Sequence, residues 1–325
     1  MKPATQTPTQ TPMQMGWTPG RRFVIGLPFV WLLAFFLLPF LILLRISVTD
    51  MAGGIDPFAP LVDSASGTWR FMLKYDNYAS IFRDPAAGAS AGAPADFGDT
   101  IYMDAYLTSL KFALLTTLLC LLIGYPFAYF MARAKPANRP ILLMMVMLPF
   151  WTSFLLRVYA WKGILADQGV VNQFLMWSGL AQEPVQMLYT NLSMLVGMTY
   201  VYCPFMILPL YATLVKMDLR LLEAAHDLGA SPWKAFWLIT VPLSRAGIIS
   251  GCMLVFIPAV GEFVIPSLLG GAENVLIGRV VWDEMFSSNN WPRAAALAVV
   301  MVLLILLPLG VYNHYSAAHD PAGRA

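Results

Sequence analysis

Long apolar segments alternate with shorter polar ones along this chain. Apolar runs lie at about residues 23–44, 107–131, 141–161, 192–215, 244–268 and 294–312. Each has about the 20 residues that an α-helix needs to cross a bilayer. A shorter run at about residues 277–286 predicts a partial helix outside the membrane. The pattern therefore predicts an all-α membrane protein with six transmembrane helices.

The basic residues indicate which polar segments face the cytoplasm. Arg133, Lys135 and Arg139 follow the second run with no acidic residue among them. By contrast, residues 49–104 hold eight Asp against three Lys or Arg, and residues 163–190 hold no Lys or Arg. Cytoplasmic loops of membrane proteins are enriched in Lys and Arg. We therefore expect an external loop at 49–104 and both termini in the cytoplasm.

Composition supports a membrane location and indicates where the membrane domain begins and ends. The hydrophobic fraction of 58% and the mean hydropathy of +0.66 exceed those of soluble domains. Residues 1–22 are rich in Thr, Pro and Gln and predict a disordered cytoplasmic N-terminus, followed by a membrane domain at 23–312 and a cytoplasmic tail at 313–325. A net charge of +2 indicates no nucleic-acid partner.

Candidate cofactor and metal motifs are missing from the sequence. The three cysteines lie in apolar runs, without the spacing of a metal site or a disulfide framework. There is no Gly-x-x-x-x-Gly-Lys-Ser/Thr motif, so the chain is not expected to bind ATP phosphates in the P-loop manner. Uphill transport would then need energy from a partner or from an ion gradient.

A polar segment at residues 216–243, here called the elbow, lies between the fourth and fifth apolar runs. Leu221, Ala225 and Leu228 recur at helical spacing and predict one face of a short helix. Asp218 can cap the start of this helix, and Gly229 lies where a left-handed residue commonly ends a helix.

The next residues of the elbow predict a second short helix. Ser231 is a favourable N-cap residue, and Pro232 suits the first helical turn. The elbow is therefore expected to be a folded helix-turn-helix unit.

The elbow also resembles a known family motif. Glu223-Ala224-Ala225, three residues, Gly229, nine residues and then Ile239-x-Val241-Pro242 is similar to the signature loop of inner-membrane subunits of binding-protein-dependent ABC importers. The sequence departs from that signature at Val241, where Leu is usual, and the change keeps the apolar character.

The resemblance implies a type I ABC importer permease fold in the bacterial inner membrane. It implies that the elbow forms the coupling helix that docks on a cytoplasmic ATPase, through Glu223, Ala224, Ala225, Asp227 and Gly229. The implied partners are a second homologous permease, two ATPase subunits, a periplasmic solute-binding protein and membrane lipid. ATP and Mg²⁺ would bind to the ATPase, with no cofactor on this chain and no bond chemistry catalysed by it.

Glu262 is the carboxylate that we place well inside a predicted span. A charged residue there usually marks a transport pathway or a buried pair. Counting 1.5 Å per residue from the cytoplasmic ends of two predicted spans puts Arg157 and Glu262 at similar depths, roughly 24 and 27 Å. Glu262 is therefore either a cation contact on the pathway or the ion-pair partner of Arg157, and the two roles are compatible.

Aromatic and acidic residues near these depths are further candidates for a cation pathway. Aromatic faces attract organic ammonium groups, although aromatic residues also gather at membrane interfaces. The adjacent carboxylates of the last external segment can attract cations to the mouth of a pathway or can simply be solvated. The candidates are Trp151, Tyr200, Tyr202, Trp282, Asp283 and Glu284.

Two runs indicate the substrate class by resemblance. Residues 148–161 and 256–266 are similar to polyamine-class permeases, in particular to the putrescine type, and so are Leu269-Gly270-Gly271 and Leu276-Ile277-Gly278. This resemblance implies import of a small cationic solute. The rival function is a self-powered secondary transporter or channel that uses Glu262 as its cation site. The folded elbow favours the importer because such a transporter has no ATPase to contact.

Overall fold

The computed structural model describes residues 19–52, 57–60, 62–63, 70–71, 73–82, 101–271 and 273–319. The predicted disorder at 1–22 therefore lies outside the described residues, except for residues 19–22, which are helical. Most of the predicted 49–104 loop and the end of the 313–325 tail also lie outside them.

The described residues form α-helices joined by short turns, with one short strand pair as the exception. The helices are α1 Pro19–Ser47, α2 Asp76–Phe82, α3 Ile101–Arg133, α4 Arg139–Met147, α5 Phe154–Ile164, α6 Val170–Trp177, α7 Asn191–Leu214, α8 Arg220–Asp227, α9 Pro232–Ala235, α10 Val241–Leu243, α11 Arg245–Val260, α12 Val264–Leu269, α13 Ile277–Phe286 and α14 Trp291–His319. A 3₁₀ turn covers Leu148–Trp151, and a π-helical turn covers Phe236–Thr240. Strands β1 Val62–Asp63 and β2 Arg70–Phe71 pair antiparallel. The predicted all-α class is confirmed.

Several helices have the length and apolarity of membrane spans. Within the described ranges, Gly26–Ser47, Ile101–Arg133 and Asn191–Leu214 each qualify alone, and two bent helix pairs bring the number to at most five. A shorter apolar helix, Trp291–Leu307, coincides with the sixth predicted run. The partial helix predicted at 277–286 is α13, and its external position remains a prediction. The count of six spans and the side of each terminus remain predictions.

The third predicted span is not one continuous helix. Arg139–Trp151 and Phe154–Ile164 meet at an angle of 90°. Thr152 and Ser153 have extended backbone, with ψ values of 151° and 139°. The Thr152 hydroxyl donates to the Pro149 carbonyl at 2.8 Å, which satisfies an acceptor at the end of the 3₁₀ turn. The depth of Arg157 counted at 1.5 Å per residue along 141–161 therefore does not hold.

The fifth predicted span also breaks. α11 ends at Val260, and α12 begins at Val264, so that the run predicted at 244–268 is two helices. Pro258 weakens the end of α11 because its nitrogen has no hydrogen to donate, and Phe263, at φ −128°, leaves the helical range. The break places Glu262 in a turn between the two helices.

The core of the molecule forms where α3, α7 and α11 pack together. Its largest fully buried side chains include Phe112, Met131, Met198, Met206 and Leu210. Gly251 on α11 allows close approach of α7, since a Cβ at this position would lie 2.7 Å from the Met206 sulfur. α1 contacts α14, while most of the large apolar side chains along α1 are exposed.

Candidate coupling elbow and translocation site

The elbow folds as its sequence predicts. α8 ends at Asp227, and Gly229 follows with φ of 81°, the left-handed value that favours glycine. The Ser231 hydroxyl accepts the Lys234 amide at the start of α9, where Pro232 occupies the first turn. Asp218 accepts the Arg220 amide at 3.0 Å but is not the N-cap residue, which is Leu219. The Arg220 guanidinium also bonds to Asp218 and holds the pKa of that carboxyl below its usual range.

The two short helices are joined by a small apolar core of their own. Leu222 and Ala225 of α8 pack with Ala235 of α9. The predicted face was therefore wrong in part: Ala225 is buried, whereas Leu221 and Leu228 are exposed. Leu222, one position after Leu221, is buried instead.

Several large apolar side chains of the elbow are exposed. Leu228 is 89% exposed and Leu238 is 73% exposed, and Trp233 and Trp237 are also exposed. The candidate coupling residues Glu223, Ala224, Asp227 and Gly229 are likewise exposed, whereas Ala225 is buried in the elbow's own core. Apolar side chains grouped at a surface mark contact sites for partners. The arrangement is suited to docking on another protein.

Glu262 is held by donors from this chain. The Tyr202 hydroxyl donates to its carboxylate, and the backbone amides of Val264 and Ile265 donate to Oε1 at 3.0 and 3.3 Å. The residue is 9% exposed. From the position before the N-cap residue, Phe263, the carboxylate therefore satisfies two free amides at the N-terminus of α12, where acidic groups are favourable.

The predicted pair of Arg157 with Glu262 is not formed. Among the described residues, no carboxylate lies within ion-pair distance of Arg157. Its Nε and Nη1 atoms are buried without a hydrogen-bond partner, and the guanidinium lies 5.3 Å from the Phe150 ring and 5.9 Å from the Phe154 ring. The equal depths assumed straight helices, and the 90° bend before α5 removes that basis.

The candidate Trp282 lies beside the break that holds Glu262. Its ring stacks on Phe263 with centroids 4.8 Å apart and planes inclined by 11°. Phe286, one turn further on, lies 4.2 Å from Trp282. α13 packs so closely on the break that position 278 requires glycine, because a Cβ there would lie 2.5 Å from the Gly261 carbonyl oxygen. Sequence reasoning missed Phe263, although its position next to Glu262 was a signal.

The two candidate carboxylates of α13 have different surroundings. Asp283 is half-exposed and lies 3.7 Å from the Arg279 guanidinium. Glu284 is largely buried: it accepts the Tyr102 hydroxyl at 2.6 Å and lies 3.9 Å from Arg293. Glu284 thus links α13 to α3 and α14, while Asp283 is accessible to a solute.

The remaining aromatic candidates do not share one surface. Tyr202 is buried against Glu262, whereas Tyr200, two residues earlier on α7, packs edge-on against Trp161. Residues two apart on a helix face different directions. Trp151 lies at the bend of the third predicted span and is 78% exposed. In the part of the chain that the structure describes, no group of three metal-ligating side chains occurs.

Comparison with known proteins agrees with this architecture. Residues 120–318 match the family described as binding-protein-dependent transport system inner membrane component. The spermidine/putrescine transport system permease protein PotB of Haemophilus influenzae is 36% identical over 292 residues, 90% of this chain and 92% of that protein. PotB of Escherichia coli is 42% identical over 214 residues, 66% of this chain and 78% of that protein.

A solved structure gives the same fold at low sequence identity. A bacterial ABC transporter involved in the import of alginate aligns with a TM-score of 0.62 and 16% identity, over 92% of this chain and 97% of that chain. At an identity this low, the alignment shows only that the two chains share a fold. With the family match covering most of the chain, this protein belongs to the inner-membrane permease components of binding-protein-dependent ABC importers.

Proposed function

We propose that this chain is a permease subunit through which an ATP-driven importer moves a polyamine, such as putrescine or spermidine, across the inner membrane. The observation that carries the substrate class is the 36% identity to a spermidine/putrescine permease over nearly the full length of both chains. The two runs that resemble putrescine-type permeases each contain a helix break: 148–161 contains the bend before α5, and 256–266 contains the break between α11 and α12.

The elbow is the proposed contact with the ATPase. Its outward surface combines exposed Trp233 and Leu228 with the exposed residues Glu223, Ala224, Asp227 and Gly229. ATP and Mg²⁺ bind to the ATPase subunits, and a second homologous permease and a periplasmic solute-binding protein complete the importer. Closure of the ATPases moves the elbow, and the membrane helices alternate between inward and outward openings.

The proposed cation contacts lie on α13 beside the break between α11 and α12. Trp282 offers a half-exposed indole, one face of which stacks on Phe263, and the adjacent Asp283 offers a half-exposed carboxylate. A ring face and a carboxylate together suit an organic ammonium group. Glu262 and Glu284 have a structural role at this site. Each is hydrogen-bonded to a tyrosine of another helix and so holds the helices around the site together.

Reconstitution tests the function. The chain would be co-purified with its ATPase, second permease and binding protein, and placed in vesicles with ATP inside. We expect uptake of labelled putrescine or spermidine that requires ATP and the loaded binding protein. Uptake driven by an ion gradient alone would support the rival secondary transporter instead. ATP-dependent uptake of an uncharged or anionic solute, with no polyamine uptake, would overturn the substrate class but not the importer.

A further inference from the structure

A long apolar groove is lined mainly by α3, α4 and α7. Its volume is about 910 Å³. Ligand pockets generally have volumes of about 300–1,000 Å³. Met131 and Leu142 line the end of the groove next to residues 133–139, which the basic residues predict to be cytoplasmic, and Trp161 and Leu192 line its far end. The coupling elbow and the Glu262 turn do not contribute to its lining.

The groove has the length of a lipid chain along α3. Its lining residues on this helix run from Leu119 to Met131. At 1.5 Å per residue these twelve steps span roughly 18 Å. One leaflet of a bilayer contributes about half of the 30 Å hydrocarbon core. The part of the groove next to the cytoplasmic end of α3 therefore matches the depth of the cytoplasmic leaflet.

A basic rim lies at the cytoplasmic end of this groove. Arg133 follows Met131 by two residues, and Arg139 precedes Leu142 by three. Lys135 lies in the turn between them, and residues 132–140 contain no acidic residue. Across the described ranges, no ion pair involves these three side chains. Arg133 lies over the Tyr129 ring, and Arg139 donates to the Ala134 carbonyl.

We propose that the groove binds an anionic phospholipid of the cytoplasmic leaflet. Its acyl chains lie against α3, α4 and α7, and its headgroup phosphate is bound by Arg133, Lys135 and Arg139. Basic pockets between membrane helices on the cytoplasmic side are a recurring site for anionic headgroups. A helix from another subunit is the other possible occupant of the apolar groove, but the basic side chains at the end of the groove complement an anionic headgroup and not an apolar helix.

The test uses the assembled importer in nanodiscs of phosphatidylethanolamine, with traces of photoactivatable phosphatidylglycerol or phosphatidylcholine. We expect phosphatidylglycerol to label residues 119–131 and 142–149 more strongly than phosphatidylcholine does. Lys135→Gln should lower that labelling about fivefold, the factor for one basic side chain near an anionic surface. Arg245→Gln is the control, because Arg245 is an exposed basic residue at the end of α11, a helix that does not line the groove.

A second variant tests the groove without changing charge. Val196→Trp places a bulky side chain into the lining and should reduce labelling by both probes, whereas Leu118→Trp, on an exposed position of α3 outside the lining, should not. Equal labelling by the two probes, or no effect of Lys135→Gln, would overturn the headgroup site. A cysteine at position 196 that crosslinks to the second permease in the assembled complex would show that a helix, and not lipid, fills the groove.

Discussion

The turn that contains Glu262 gives the sharpest test of how this structure works. Two variants each change one partner of the hydrogen bond between Tyr202 and Glu262. Glu262→Gln keeps the shape and one carbonyl oxygen but removes the charge. Tyr202→Phe removes the hydroxyl that donates to the carboxylate and keeps the ring. If Glu262 is the cap of α12, both variants should weaken the attachment of α12 to α7.

The cost of each variant follows from the hydrogen bonds it removes. The carboxylate accepts two backbone amides and one hydroxyl, in a largely buried position. A hydrogen bond to a charged group contributes about 1.5–3 kcal/mol, so Tyr202→Phe should lower the free energy of unfolding by about that amount. Glu262→Gln keeps an acceptor for the amides, and neutral bonds have about half the strength of charged ones, so that the loss over the three bonds is about 2–4.5 kcal/mol.

The double variant isolates the contact itself. In the Glu262→Gln background, Tyr202→Phe removes a weaker, neutral bond and should cost only about 1 kcal/mol. The non-additivity should therefore be about 1 kcal/mol. Tyr200→Phe is the matched control, since Tyr200 lies on the same helix but packs against Trp161 and makes no contact with Glu262.

Three readouts separate the cap from a pathway role. Membrane abundance, the thermal unfolding of the assembled complex and ATP-dependent uptake would be measured for each variant. We expect Glu262→Gln and Tyr202→Phe to lose stability together, with uptake falling in proportion to abundance. A different pattern would refute the cap and place Glu262 on the pathway. In that pattern Glu262→Gln keeps wild-type abundance and unfolding temperature but abolishes uptake, and Tyr202→Phe behaves like Tyr200→Phe.

Three further predictions concern other parts of the chain. Gly229→Asp should abolish stimulation of the ATPase by loaded binding protein, whereas Gly179→Asp, with a similar φ of 74° and equally open surroundings, should not; equal loss in both would indicate backbone strain alone. Arg157→Gln should lower the free energy of unfolding by no more than the contribution of its aromatic contacts, about 1–2 kcal/mol, as measured by thermal unfolding. A loss of about 3–5 kcal/mol would indicate a buried ion pair. A cysteine at Ala137 should resist an impermeant reagent that labels one at Ser288 from outside, and the reverse would invert the topology.

The elbow shows what could be predicted from sequence alone. Its helix ends depend on neighbouring residues: Gly229 supplies the left-handed turn, and Ser231 and Pro232 start the next helix. Such signals are local, and the structure bears them out. The buried face was harder to predict because both Leu221 and Leu222 are apolar, so that the periodicity alone does not decide which of them turns inward.

The partner of Glu262 could not be predicted because it depends on where helices stop. The prediction of Arg157 came from counting residues along straight spans, and the structure breaks both spans that enter the count. At a break, the first amides of the next helix have no partner within that helix. Glu262 lies two and three residues before two such amides, and a carboxylate at that distance can satisfy both of them. A carboxylate inside an apolar segment can therefore indicate a helix start as well as a charged partner. Pro258, Gly261 and Pro266 around Glu262 were the local signal for that start.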